Sequence, residues 1–266
     1  MTYTTLRLEH VGPVATITLA RPAVHNAFNE ALIADLTECI GVVTADEDCR
    51  VVVLAGAGAS FCAGADLDWM QRVALYTAEE NLADARAAQR MLAAIHECPK
   101  ATIARVQGTA IGGGVGLVAA CDIAVASSAA RFALSEVRLG LVPSLIGPYV
   151  IEKVGAGQAR RLFVSGERIG AEEALRIGLV HVVTAPSELD EAGALTAQAY
   201  LDDEFVGPDY ALVLRDARTR AAQSRLLVAL LDGALVGTVT FAVGGTPYAE
   251  RSAEGEAEIR MLGTAP

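Results

Sequence analysis

The 266-residue chain carries 32 acidic against 21 basic side chains, a formal charge of −11, so it lacks the basic footprint that a polynucleotide or an anionic membrane surface selects. With 53% hydrophobic and 20% charged residues it is neither disordered nor fibrous, and it is long enough to bury a substantial core. Cys39, Cys49, Cys62, Cys98 and Cys121 form no C-x-x-C pair and the first ten residues have no targeting character, so a soluble cytoplasmic protein with reduced thiols is expected.

Residues 4–22 alternate apolar and polar positions around Gly12-Pro13, the pattern of a β-hairpin. Asn29 then stands as an N-cap before Leu32, Ile33, Leu36, Ile40 and Val43, which recur at helical spacing. Val51 to Gly56 is a short apolar run that reads as a buried strand. Thr77 and Glu80 have capping-box spacing, and the helix they start is closed by Pro99.

Thr102 to Val106 is another strand, followed by a glycine loop, a short helix to about Ala120 and the strand of Asp122 to Ser127. Helical texture returns in residues 157–166 and 171–178, and residues 179–183 read as a strand. Strands alternating with helices predict an α/β layered domain. Beyond about Tyr200 two strand-like runs meet at Asp232-Gly233, a hairpin signal. No internal repeat is visible.

The glycine loop asks for an explanation, because glycine within a helix or strand costs about 1 kcal/mol against alanine. Gly112, Gly113 and Gly114 stand in a row, and Gly116 follows. Gly114 to Ala119 match Gly-x-Gly-x-x-Ala, and Glu136 lies 20 residues beyond Gly116, so a dinucleotide fingerprint is one reading. Against it, the acidic residue should end the next strand, whereas Glu136 falls beyond a further segment. The other reading pairs the loop with Ser60 to Met70, where small residues again begin a helix after a strand. Two backbone N–H groups, one from each turn, then form an oxyanion hole for a developing enolate.

These stretches, with residues 21–29, 131–143 and 165–183, resemble the crotonase, or enoyl-CoA hydratase/isomerase, superfamily from about Thr4 to Val183. The resemblance implies an α/β fold with a spiral core of ββα units, an acyl-CoA thioester substrate, no metal, and no cofactor beyond the coenzyme A of the substrate. It implies oxyanion donors at the N–H groups of Ala65 and Gly113 and an acid/base carboxylate at Glu136. Arg21, Val24, His25, Ala63, Gly64, Asp66, Leu67, Ile111, Gly112 and Pro143 join Ala65 and Gly113 along the coenzyme A path. A homotrimer or dimer of trimers is the implied assembly.

The second carboxylate of typical hydratases falls at Gly116, and the usual Pro-Gly-x-Gly-Gly run is here Pro143-Ser-Leu-Ile-Gly147. Both departures are similar to bacterial methylglutaconyl-CoA hydratases of leucine degradation. Hydration through Glu136 is therefore the first expectation. Enoyl-CoA isomerisation on the same residue, or non-catalytic coenzyme A binding, are the alternatives. The boundary is drawn at residue 200: a catalytic core over 1–200 and an atypical segment over 201–266. In that segment a helix, a hairpin and a further strand resemble the front half of a GNAT-type acetyltransferase.

Overall fold

The computed structural model describes residues 3–186 and three later strands, 224–231, 234–243 and 257–264. The chain divides into two compact units, Met1–Asp190 and Glu191–Pro266. In the first, strands β1 (Leu6–Val11) and β2 (Val14–Leu19) form the expected hairpin, with Gly12 in the turn at φ +54°. Alternation along β2 places Ala15, Ile17 and Leu19 wholly in the core. Helix α1 (Glu30–Ala45) starts where Asn29 accepts the Leu32 N–H at 3.1 Å.

Next comes one motif run three times. A long strand is followed after a short turn by a three-residue strand and then by helix: β3 (Val51–Gly56), β4 (Ser60–Cys62), α2 (Leu67–Val73) and α3 (Ala78–His96); β5 (Ala101–Val106), β6 (Thr109–Ile111) and α4 (Gly113–Ala120); β7 (Ile123–Ser127), β8 (Arg131–Ala133), a 3-10 turn over Glu136–Leu139 and α5 (Gly147–Ser165). Strand β9 (Arg168–Gly170), α6 (Ala171–Arg176) and β10 (Val182–Thr184) follow.

The long strands lie in a six-stranded sheet ordered β1-β2-β3-β5-β7-β10, and the short ones in a four-stranded sheet ordered β4-β6-β8-β9. Successive units therefore stack in the same order in both sheets, which makes the core a ββα spiral. Gly108 marks how closely they stack: a Cβ there would lie 2.0 Å from the Ala59 carbonyl oxygen. No residue with a side chain fits that turn.

Leu32 and Leu36 of α1, Met91, Leu92 and Ile95 of α3 and Leu117 of α4 are almost fully buried, so these helices cover the sheet and one another. The Thr77–Glu80 capping box is present at the start of α3, and the helix ends at His96, three residues before Pro99. Helix α5 begins ten residues earlier than the sequence pattern suggests, with Gly155 at φ +75° interrupting it. The strand expected over 179–183 is shorter: His181 already bonds to Ala124 through both its N–H and Nδ1, but only Val182–Thr184 pair as a ladder with β7.

In the second unit, β11 (Ser224–Leu231), β12 (Ala234–Val243) and β13 (Ala257–Thr264) form an antiparallel sheet in that order. Leu231 pairs with Ala234, as the hairpin signal at Asp232-Gly233 requires. The helix expected ahead of this hairpin lies outside the described residues.

Candidate active site

The site is built on a loop held by one buried amide. Asn26 is fully buried; its Nδ2 donates to the Ala57 and Ser60 carbonyls, both at 2.8 Å, and its Oδ1 accepts the Arg21 N–H at 2.9 Å. His25 and Asn26 both take left-handed backbone, φ +53° and +56°, at a cost of about 1–2 kcal/mol each. That strain turns the His25 carbonyl toward the Ala63 N–H, 3.0 Å away. Gln107 reinforces the same place, with Nε2 donating to the Gly56, Gly58 and Ser60 carbonyls. Neither Asn26 nor Gln107 stands out in the sequence, since a lone amide has no periodic or motif signature.

From this anchor Phe28 forms an isolated parallel bridge with Ala65. The Phe28 N–H donates to the Gly64 carbonyl at 2.8 Å, and the Asp66 N–H to the Phe28 carbonyl at 3.0 Å. Both ladder bonds use Ala65's neighbours, which leaves the Ala65 N–H turned to the opposite side. Asp66 then caps α2, its Oδ1 accepting from the Asp68 and Trp69 N–H groups at 3.0 and 3.3 Å. Cys62, just upstream, is fully buried, and burial pushes its thiol up to about 12, so it offers no thiolate.

The glycine loop comes against this turn. A Cβ on Gly64 would lie 2.7 Å from the Ile111 carbonyl and 3.3 Å from the Gly113 amide nitrogen. Gly113 opens α4, where an N–H has no acceptor within the helix. Its own missing Cβ would sit 2.0 Å from Phe28 Cζ, and that of Gly114 2.1 Å from the Cys62 carbonyl oxygen. The glycines are thus cleared for close packing of the two turns, which puts the segments bearing the Ala65 and Gly113 amides side by side.

Glu136 completes the cluster. The Gly112 N–H donates to the Ala133 carbonyl at 2.8 Å, tying the glycine loop to the strand that leads into the 3-10 turn. The carboxylate comes to rest over Gly112, Oε1 within 3.1 Å of where a Cβ would be. It is half-buried, and Oε2 has no hydrogen-bond partner among the described residues. Burial raises the carboxyl above its ordinary range and outweighs its own backbone N–H, which acts the other way.

The other expected residues divide into two groups. Gly64, Asp66, Gly112 and Pro143 are buried, and Ala63 and Ile111 half-buried, around these turns. Val24, His25 and Leu67 are exposed, Leu67 to 72%. Arg21 turns inward: Nη2 pairs with Asp66 Oδ2 at 2.9 Å and Nη1 donates to the Ala27 carbonyl. The dinucleotide reading fails on topology, because the strand after the glycine helix ends at Ser127 and Glu136 lies beyond β8 on a 3-10 turn. Among the described residues no helix is long and apolar enough to cross a membrane, and no three metal-ligating side chains gather.

The model of the enoyl-CoA hydratase/isomerase family matches residues 9–228, and the chain belongs to that family of enzymes. The short-chain-enoyl-CoA hydratase of Clostridium acetobutylicum is 39% identical over 188 residues, 68% of this chain and 69% of that one. The crotonyl-CoA hydratase of Syntrophomonas wolfei is 35% identical over 191 residues, 71% and 72% of the two chains. The crystal structure of an enoyl-CoA hydratase from Shewanella pealeana superposes with a TM-score of 0.75 at 37% identity, covering 80% of this chain and 78% of that one.

Proposed function

We propose that this enzyme adds water across the 2,3-double bond of an enoyl-CoA thioester, with Glu136 as its single acid/base group. The observation that carries the reading is the Glu136 carboxylate resting over Gly112, its Oε2 without a hydrogen-bond partner among the described residues, beside the adjoining turns of Gly113 and Ala65. In the forward step the carboxylate takes a proton from water as the water oxygen bonds to the β-carbon. The C=C electron pair moves onto the thioester oxygen, where the Ala65 and Gly113 N–H groups hold the enolate. Glu136 then returns its proton to the α-carbon, so one water is added and the carboxylate is restored.

Arg21, Val24, His25, Ala63 to Leu67, Ile111, Gly112 and Pro143 are read as the coenzyme A path, with no cofactor apart from the substrate's own. Arg21 acts there through Asp66 rather than by touching phosphate. A methylglutaconyl-CoA-like acyl group is the favoured substrate, supported by glycine at 116 and by the Pro143-Ser-Leu-Ile-Gly147 run. The wider reading is a cytoplasmic homotrimer or dimer of trimers of leucine degradation, with residues 201–266 resembling the front half of a GNAT-type acetyltransferase. The β11-β12-β13 order is consistent with that likeness.

A lone carboxylate also suits a proton shift between α and γ carbons, which keeps isomerisation as the second reading. The test is Glu136→Gln assayed on 3-methylglutaconyl-CoA, crotonyl-CoA and a 3-enoyl-CoA. Hydration should fall to background while thioester binding persists. Turnover retained by the variant sinks the assignment, and wild-type turnover on the 3-enoyl-CoA alone moves it to isomerase.

A further inference from the structure

Gly116 is not cleared for a ligand. A Cβ there would lie 2.2 Å from Ile146 Cγ2 and 2.9 Å from Ile146 Cβ, with Leu92 Cδ2 next at 3.7 Å. Ile146, only 4% exposed, precedes α5 and drops its side chain into the place that a residue at 116 would fill. The Gly116 N–H donates to the Gly112 carbonyl, so Gly116 stands one turn along α4 from the glycine beneath the Glu136 carboxylate. Ile146 and the acid thus lie over two glycines one helical turn apart. By the resemblance, typical hydratases have an acid at 116 and glycine at 146. Here the side chain has moved across the contact.

We propose that Ile146 is a positioning residue for the reaction: seated on Gly116, it keeps any second acid out of the site and dries the flank of Glu136 facing α4. The two positions form a matched pair: a side chain at 116 needs the space that Ile146 fills. The inference rests on Glu136 being the acid/base group.

No other charge explains the state of that carboxyl. Helix α4 carries no titratable side chain, nor do residues 141–146 or strand β6. Arg138, on the same turn as Glu136, donates to the Gly166 carbonyl, and Lys153 of α5 to the Asp122 carbonyl. The unpartnered Oε2 and the upward shift of Glu136 through burial both fit a flank of hydrocarbon.

The test uses the full chain and measures the Glu136 ionisation directly, by carboxyl 13C NMR with the resonance assigned from its loss in Glu136→Gln. Ile146→Ala admits water beside the acid, so its titration should move toward the ordinary carboxylate range, and the acid limb of kcat should move with it. KM should change less than kcat. Gly116→Glu alone should lose thermal stability, whereas Gly116→Glu with Ile146→Gly should recover the fold and add a second ionisation to the pH profile. Ile146→Val, which loses one methyl, gives a folded intermediate should the alanine variant fail to fold.

A folded Ile146→Ala or Ile146→Val protein whose Glu136 titration stays at the wild-type position overturns the proposal. So does a single Gly116→Glu variant with wild-type stability. Activity surviving in Glu136→Gln instead overturns the functional reading, and the NMR titration keeps the two failures apart.

Discussion

Arg21 Nη2 and Asp66 Oδ2 lie 2.9 Å apart with side chains only 20% and 10% exposed, joining the strained 21–26 segment to the cap of α2. The pair sits one residue from Ala65, so its geometry sets the direction of that amide. Asp66→Asn keeps a capping oxygen but loses charge assistance, and should cost about 1–2 kcal/mol in urea unfolding. Arg21→Met leaves a mostly buried carboxylate without its partner and should cost more, about 3 kcal/mol. In each variant that remains folded, kcat should fall further than thioester affinity, as expected of a displaced oxyanion donor.

The same pair predicts an acid limb in stability. Burial acts to raise the Asp66 carboxyl, but the Arg21 guanidinium and the Trp69 and Asp68 N–H groups outweigh it and hold it below its ordinary range. The unfolded chain therefore takes up this proton first as pH falls. The contribution is whole above the unfolded value and is lost as pH drops through the folded one. Asp66→Asn should flatten that limb in a series of urea melts, and an unchanged slope would count against it.

Glycine substitutions should separate packing from mere helix propensity. At Gly113 a methyl group collides with the Phe28 ring, so Gly113→Ala should tilt the amide and lower hydration about 100-fold or more. Adding Phe28→Leu should restore much of the thermal stability by giving the methyl room. At Gly41, inside α1, nothing lies within 4 Å of a new Cβ, and Gly41→Ala should raise stability by about 1 kcal/mol without touching turnover.

Elements with a period or a cap were legible in the sequence. Asn29 and Thr77 start helices as their spacing requires, and the alternation along β2 marks its buried face. The second sheet was not legible, because β4, β6 and β8 are three residues long and too short to show alternation. The threefold run of units escaped for the same reason: it is a repeat of backbone path, with helices of different length and sequence after each strand pair. At the site, the two small-residue turns and Glu136 stood out by type and order. Asn26 and Gln107 did not, since each acts through contacts made by residues distant in the chain, and Ile146 showed only as a departure in the 143–147 run, its contact with Gly116 being invisible there.

Asn26 gives a sharp test of how that loop is held. Alanine there leaves the Ala57 carbonyl and the Arg21 N–H without their partner, at about 1–3 kcal/mol for each buried group left unsatisfied. Aspartate should be worse, because its oxygens then face the Ala57 and Ser60 carbonyls with no donor between them. Glycine at 26 would relieve the left-handed backbone yet lose the same bonds, so it should fall between alanine and wild type. The order wild type, glycine, alanine, aspartate in thermal melts would follow from hydrogen bonding and strain together. Aspartate matching wild type would mean that the amide donors do not hold the loop.

Glu136 carries the last prediction, where stability and catalysis pull in opposite directions. Its carboxyl is raised by burial, so between the unfolded and folded values the native chain holds a proton that the unfolded chain has released. Stability is whole below the unfolded value and declines as pH rises through the folded one. Glu136→Gln removes that decline and should be the more stable protein at neutral pH, while losing hydration. In the wild type kcat/KM should rise with pH through a limb above the ordinary carboxylate range, because only the ionised form takes a proton from water. A limb at the ordinary glutamate value, or equal stability of the two proteins at neutral pH, would show that burial does not control this acid.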